Sequence, residues 1–125
     1  MDFRQDERFR KAERLRKRHE FLATSRSGKR KAGKHFIVYA RTNGLAWSRL
    51  GVTCSKKVGN AVVRNGWKRR IREIFRRNKN TIHVGRDYVV IVRPKAPASD
   101  FTTLSDELLS LMKRAADAAE RARTE

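Results

Sequence analysis

Apolar residues recur along this chain at three different spacings, and each spacing predicts an element. Leu15 and Leu22 lie seven apart with Phe21 beside them, which predicts a helix from Glu13 to Ser25 that stops at Ser27-Gly28. The stretch GKRKAGK, residues 28–34, has no apolar period and reads as a flexible basic loop. HFIVYA, residues 35–40, is rich in β-branched and aromatic side chains and predicts a strand. Residues 48–54 alternate, with Leu50, Val52 and Cys54 on one side, and predict a second strand. The Asn43-Gly44 pair between them carries the signal of a hairpin turn. Residues 87–92 are an Asp followed by a continuous run of β-branched and aromatic side chains, as expected of a strand covered on both faces, and Pro94 and Pro97 end it. Leu104, Leu108, Leu111, Met112, Ala115 and Ala119 return at helical spacing behind a weak capping box of Thr103 and Asp106.

The segment SKKVGNAVVRNGWKRRIREIFRRNKN, residues 55–80, threads apolar residues through dense positive charge. At about 100° per residue, Trp67, Ile71, Ile74, Phe75 and Asn78 form one stripe of a helix. Lys68, Arg69, Arg72, Arg76 and Lys79 form a contiguous band beside the stripe, and Arg70 and Arg77 flank its other side. A disordered tail has no reason to sort its residues in this way. Only Glu73 is spaced to pair with the band, so an external polyanion explains the aligned cations better than solvent does. Ahead of the helix, Lys56 and Lys57 stand beside Gly59 and Asn60. The last two suit a turn and a helix cap, while the two lysines ask for an anion such as phosphate.

Net charge sharpens this picture. The chain has 125 residues and a formal charge of +19. That length suits one domain, taken as residues 13–122, behind a flexible extension of residues 1–12 in which Phe3 and Phe9 stand isolated. Residues 56–79 hold ten basic side chains and one acidic one, whereas residues 101–125 hold four basic and five acidic. The last helix is therefore expected to pack against the domain and not to face the polyanion. The one cysteine, Cys54, alternates into the apolar side and reads as a small buried residue. The three histidines are scattered without a CxxC partner, and acidic residues are too sparse between Lys34 and Phe101 for a paired-carboxylate metal site. No apolar stretch reaches the length of a membrane span or a secretion signal, so a cytoplasmic protein without a membrane partner is the expectation. The sequence shows no helix-turn-helix or zinc-finger pattern, and aromatics near a sheet could stack unpaired bases, which favours RNA over DNA. For Phe36, core packing is the better account.

The run Arg49-Leu50-Gly51-Val52-Thr53-Cys54-Ser55-Lys56-Lys57-Val58-Gly59-Asn60-Ala61-Val62-Val63-Arg64-Asn65, followed by Lys68-Arg69-Arg70-Ile71-Arg72-Glu73, resembles the bacterial ribonuclease P protein subunit family. The resemblance covers all but residues 1–12 and the final few. It implies an α/β sandwich in the order αβββαβα, with a mostly antiparallel central sheet and a left-handed βαβ crossover. It implies the protein subunit of an endoribonuclease whose partners are a catalytic RNA and precursor tRNA, and whose task is to remove the 5′ leader. The RNA would carry the chemistry with bound Mg2+, and no organic cofactor is implied. Phe21, Tyr39, Thr53 and Lys57 match positions lining the leader cleft. Arg64, Asn65, Lys68, Arg69 and Arg72 match the helix that meets the catalytic RNA. With the wheel and the junction lysines, the candidate RNA contacts are Lys56, Lys57, Arg64, Asn65, Lys68, Arg69, Arg70, Arg72 and Arg76. Two positions depart from the pattern. Gly66 stands at the third position of the family's usual Arg-Asn-Arg, in place of its second Arg, and Ser25 stands where a second cleft aromatic is usual. Charge and composition alone fit a structural or ribosomal RNA-binding protein equally well.

Overall fold

The computed structural model describes residues 8–124. It contains a 3-10 turn (Lys11–Glu13), then α1 (Arg18–Ser27), β1 (Lys29–Ala32), β2 (Phe36–Thr42), β3 (Arg49–Thr53), α2 (Ala61–Arg77), β4 (Arg86–Val92) and α3 (Phe101–Thr124). This is the αβββαβα order. The apolar pattern alone found only two of the first three strands. The segment expected to be a flexible basic loop is instead β1, because its backbone pairs with β2 from Lys29–Ala40 to Ala32–Ile37. Its side chains gave no signal, since an edge strand needs no apolar alternation when its exposed positions are charged.

The strand order is β1-β2-β4-β3. β1 with β2 and β2 with β4 are antiparallel, while β3 with β4 is parallel. The expected β2–β3 hairpin is therefore corrected: β4 lies between them. Asp87, Tyr88, Val89, Val90 and Val92 are each at most 1% exposed, and a strand so buried on both faces belongs in the middle of a sheet. The Asn43-Gly44 turn does form, with Gly44 at φ +73° and Asn43 Oδ1 accepting from the Leu45 amide at 2.8 Å. It turns the chain around the end of β4 and does not join paired strands.

One sheet face carries the main core. Trp67, Ile71, Ile74 and Phe75 of α2, with Leu104, Leu108, Leu111, Met112 and Ala115 of α3, cover Phe36, Val38, Leu50, Tyr88 and Val90. Phe36 meets Trp67 edge-on at 5.9 Å, and Cys54 is buried, as the alternation predicted. α3 starts from Asp100, whose Oδ1 accepts from the Thr103 amide at 2.7 Å, so the Thr103–Asp106 capping box is corrected. That hydrogen bond holds the Asp100 carboxyl below the usual carboxylate range. One turn further on, Glu107 Oε2 accepts from the His35 and Phe36 amides at 2.9 and 3.1 Å. Glu107 Oε1 lies 2.8 Å from His35 Nδ1, which fastens α3 to the β1–β2 turn.

The N-terminal region departs most from its pattern. The helix begins at Arg18, not Glu13. Leu15 is drawn onto the sheet edge, where its amide donates to Leu50 O at 3.0 Å. Glu13 is 1% exposed and pairs with Lys79 Nζ at 3.0 Å. Lys79 is therefore removed from the basic band, since it follows the end of α2 and lies buried. Phe9, expected to be isolated, packs edge-on against Phe75 at 5.5 Å. The expectation for Phe3 lies outside the described residues, as does most of the proposed extension.

α1 crosses the other face of the sheet. Beneath it, Asp87 is fully buried on β4 and accepts from Arg49 Nε and Nη2, both at 2.8 Å. Asn43 Nδ2 donates to the same carboxylate at 2.9 Å, and Arg41 Nη2 stands at 3.5 Å. Arg49 Nη1 reaches up to Glu20 on α1 at 2.8 Å. Burial pushes the Glu20 carboxyl up, but the Lys17 amide and Arg49 outweigh it and leave it below the usual range. Removing one member of a buried pair strands the other, so Asp87→Ala is expected to cost about 3–5 kcal/mol in urea unfolding. The double variant Asp87→Leu/Arg49→Met is expected to lose less than the sum of the single changes, because both charges leave together.

Candidate nucleic-acid interface

The basic helix α2 is capped by Asn60, whose Oδ1 accepts from the Val63 amide at 3.0 Å. Its apolar stripe is buried as predicted, which turns the cations outward. The band divides by partnership. Arg64, Lys68, Arg69 and Arg72 form no side-chain hydrogen bond or ion pair among the described residues, and Arg64 Nε is buried without a partner there. Arg76 is held by Glu73, with Nη2 2.6 Å from Oε1, and Arg77 Nε lies 2.7 Å from the same oxygen. The hydrogen bond to Arg76 keeps the Glu73 carboxyl below its usual range. Arg70 folds back over Trp67 with its Cζ 4.5 Å from the ring centroid, and its Nε donates to Gly66 O at 3.2 Å.

Two neighbours locate the band along the β3 edge of the domain. Burial raises the Cys54 thiol pKa, and nearby Lys68 and Arg64 oppose it. Burial, with Arg14 beside it, lowers that of the Arg72 guanidinium. The band thus runs from the end of β3 to the N-terminal segment. Lys56, Lys57 and Asn65 are exposed at its head. α2 continues unbroken through Gly66, where an added Cβ would meet only Arg70 Nη2, at 3.7 Å.

The cleft candidates share the sheet face that α1 crosses. Register places Tyr39 and Gly51 on either side of Val89, and Ile37 and Thr53 on either side of Ile91. Phe21 comes down from α1 onto Gly51, where an added Cβ would lie 2.6 Å from ring atoms Cε1 and Cζ. Gly51 therefore sets how deeply the ring sits. Tyr39 and Phe21 are half-buried and Thr53 is exposed, so the floor is apolar but accessible. Ser25, at the next turn of α1, is half-buried and adds no ring. Lys57 joins Lys34, Arg93, Pro94 and Lys95 around an open cleft of about 600 Å³ where β3 and β4 end.

The structure brings the candidates together as two sets: half-buried to exposed cations along α2, and a half-buried apolar floor rimmed by lysines. Sequence reasoning missed Lys34, Arg93 and Lys95. They sit in turns far apart in the chain, and only the sheet assembles them. It also missed the role of Gly51, although a glycine inside a strand is itself a sign of close approach. Among the described residues no helix is long and apolar enough to cross a membrane, and no group of three or more His, Cys, Asp or Glu is placed to hold a metal ion.

The fold that carries this basic helix and sheet face is shared with ribonuclease P proteins of known structure. The protein from Thermotoga maritima superposes with a TM-score of 0.76 at 46% identity, over 82% of this chain and 96% of that one. The Staphylococcus aureus protein gives 0.76 at 37% identity, over 84% and 96%. Among curated relatives, the ribonuclease P protein component of Thermotoga maritima is 46% identical over 112 residues, covering 86% of this chain and 96% of its own. That of Brevibacillus brevis is 43% identical over 106 residues, covering 84% of each. The family model described as Ribonuclease P matches residues 9–116, and the chain belongs to the ribonuclease P protein family.

Gly66 offers a direct test of helix energetics in this setting. With space for a methyl group and no need for left-handed backbone, Gly66→Ala is expected to raise stability by about 0.5–1 kcal/mol in thermal or urea unfolding.

Proposed function

We propose that this protein is the RNA-binding subunit of a ribonuclease P that removes the 5′ leader from precursor tRNA. The single observation that carries this reading is the pairing of two surfaces. Unpartnered cations along α2 suit the phosphates of a structured RNA, and the adjoining apolar floor under Phe21 suits unpaired bases. Arg64, Lys68, Arg69 and Arg72 would lie on the catalytic RNA, with Lys56 and Asn65 at the helix head. Phe21 and Tyr39 would stack leader bases, Thr53 would offer its hydroxyl, and Lys57 would take a leader phosphate. Lys34, Arg93 and Lys95 extend that positive rim.

In this reading the protein performs no bond cleavage. The catalytic RNA holds Mg2+ and carries the hydrolysis, while the protein neutralises phosphate repulsion and holds the leader. The reaction belongs in the cytoplasm, where precursor tRNA is made in bacteria.

Purified protein is expected to leave precursor tRNA intact, and addition of the catalytic RNA at low Mg2+ to restore leader removal. Cleavage by the protein alone would overturn the division of labour, and co-purification from cells with ribosomal RNA instead would overturn the assignment. In the reconstituted complex, Phe21→Ala is expected to weaken binding of precursor by roughly 1–3 kcal/mol and leave binding of mature tRNA unchanged. Equal loss for both would assign the ring to packing. Arg72→Ala is expected to lower the slope of log affinity for the catalytic RNA against log salt by about 0.7–0.9. An unchanged slope would make Arg72 a solvated surface residue.

A further inference from the structure

Gly66 and Arg70 stand four residues apart on α2, and the two surfaces above use neither. Glycine inside a helix costs stability relative to alanine. Nothing local repays that cost: Gly66 has no positive φ, and an added Cβ would meet only Arg70 Nη2, at 3.7 Å. What the missing side chain leaves is open surface, and Arg70 takes it. Side chains on a helix lean toward its N-terminus and cover the turn before their own. Arg70 does so: its Nε donates to Gly66 O at 3.2 Å, and its Cζ lies 4.5 Å from the centroid of the Trp67 ring. Its charge is thus delivered about 6 Å nearer the head of α2, the end that carries the exposed Lys56, Lys57 and Asn65.

The guanidinium is fixed on one edge and one face. Nε is spent on Gly66 O, while the Nη atoms form no hydrogen bond or ion pair among the described residues. Glu73, three residues on, is held by Arg76 and Arg77. An arginine held in this way has given up its side-chain freedom before a ligand arrives, and its free N–H groups match the geometry of a phosphate. We infer that Arg70 is a pre-set contact for a phosphate of the catalytic RNA, delivered at the level of Gly66, where residue 66 itself carries no side chain. This inference rests on the proposed function and deepens it, by adding to the band of α2 a contact on the other side of its apolar stripe.

Arg70 has a simpler use, which is to shield Trp67, 7% exposed, from water. Shielding needs an apolar stem over the ring and no charge. The phosphate contact needs the charge at this place, whichever residue carries it.

The test uses the full-length protein and its catalytic RNA, with affinity measured against salt. Arg70→Met keeps an apolar cover on Trp67 and removes the cation. It should bind the catalytic RNA several-fold more weakly, with its salt slope lowered by about 0.7–0.9. Its circular dichroism and thermal unfolding should stay close to those of the unaltered protein. Gly66→Arg/Arg70→Met returns a cation from the neighbouring position, and should recover the slope and most of the affinity. Since both variants carry the same change at Arg70, that recovery separates charge from any loss of stability. With Arg70 in place, Gly66→Arg should gain much less, because the place is already filled. Unchanged affinity and slope in Arg70→Met would overturn the inference in favour of shielding, while Arg72→Ala still reported on the band itself. A loss that Gly66→Arg does not recover would overturn the placement at Gly66 and the inference with it. A loss seen with precursor tRNA in the complex but not with the catalytic RNA alone would overturn it in favour of a leader phosphate. Failure of the unaltered protein to bind the catalytic RNA would overturn the proposed function on which the inference stands.

Discussion

The buried carboxylate of Asp87 is the constraint around which the domain is arranged. It sits on β4, an inner strand of the sheet, with no exposed surface, in a chain of formal charge +19. A carboxylate there is unfavourable unless it is paired and fully hydrogen-bonded. Arg49 donates to it twice from β3, and Asn43 donates from the β2–β3 turn. Arg41 stands beside it on β2. The site thus joins both neighbours of β4, and the third arm of Arg49 hands the charge on to Glu20 and so holds α1 over the sheet. Its main donation to Asp87 also holds the Arg49 guanidinium protonated, above its ordinary pKa.

The same economy recurs elsewhere. The chain has thirteen acidic residues, and several are used at joints between elements. Glu13 joins the N-terminal segment to the end of α2 through Lys79. Glu107 joins α3 to the β1–β2 turn through two backbone amides and His35. Carboxylates placed in the interior cannot screen the surface, so cations on α2 and around the sheet face remain unopposed outside. The positive field of this protein is a product of where its few acids are buried as much as of how many bases it has.

What was legible in the sequence follows from which signals are local. Trp67, Ile71, Ile74 and Phe75 repeat within one helix, so α2 and its basic side could be read directly. The run Tyr88 to Val92 announced a strand buried on both faces, and such a strand belongs inside the sheet and not at its edge. Asn43-Gly44 misled because a turn signal reports chain reversal and not the partner of the strand that follows. β1 was silent because Lys29, Arg30 and Lys31 contribute backbone pairing with no apolar face. Leu15 and Lys79 were misplaced because each is claimed by a partner far away in sequence, Leu50 and Glu13, which overrides its local period. The candidate site divided the same way: α2 carries its residues on one element, whereas Lys34, Lys57, Arg93 and Lys95 meet only after the sheet closes.

The central place of β4 also orders the birth of the molecule. A ribosome delivers β1, β2 and β3 well before β4, yet β3 has no strand partner in the sheet other than β4. Until residue 92 has emerged, the nascent chain can close the β1–β2 pair but cannot join β3 to it, because the strand between β2 and β3 is missing. For that interval it is a long basic polypeptide emerging from a particle made largely of RNA, with its cations displayed and its core unformed. Arrival of β4 supplies both the strand that joins β2 to β3 and, in Asp87, the counter-charge to Arg49, so the sheet and its central ion pair are completed together.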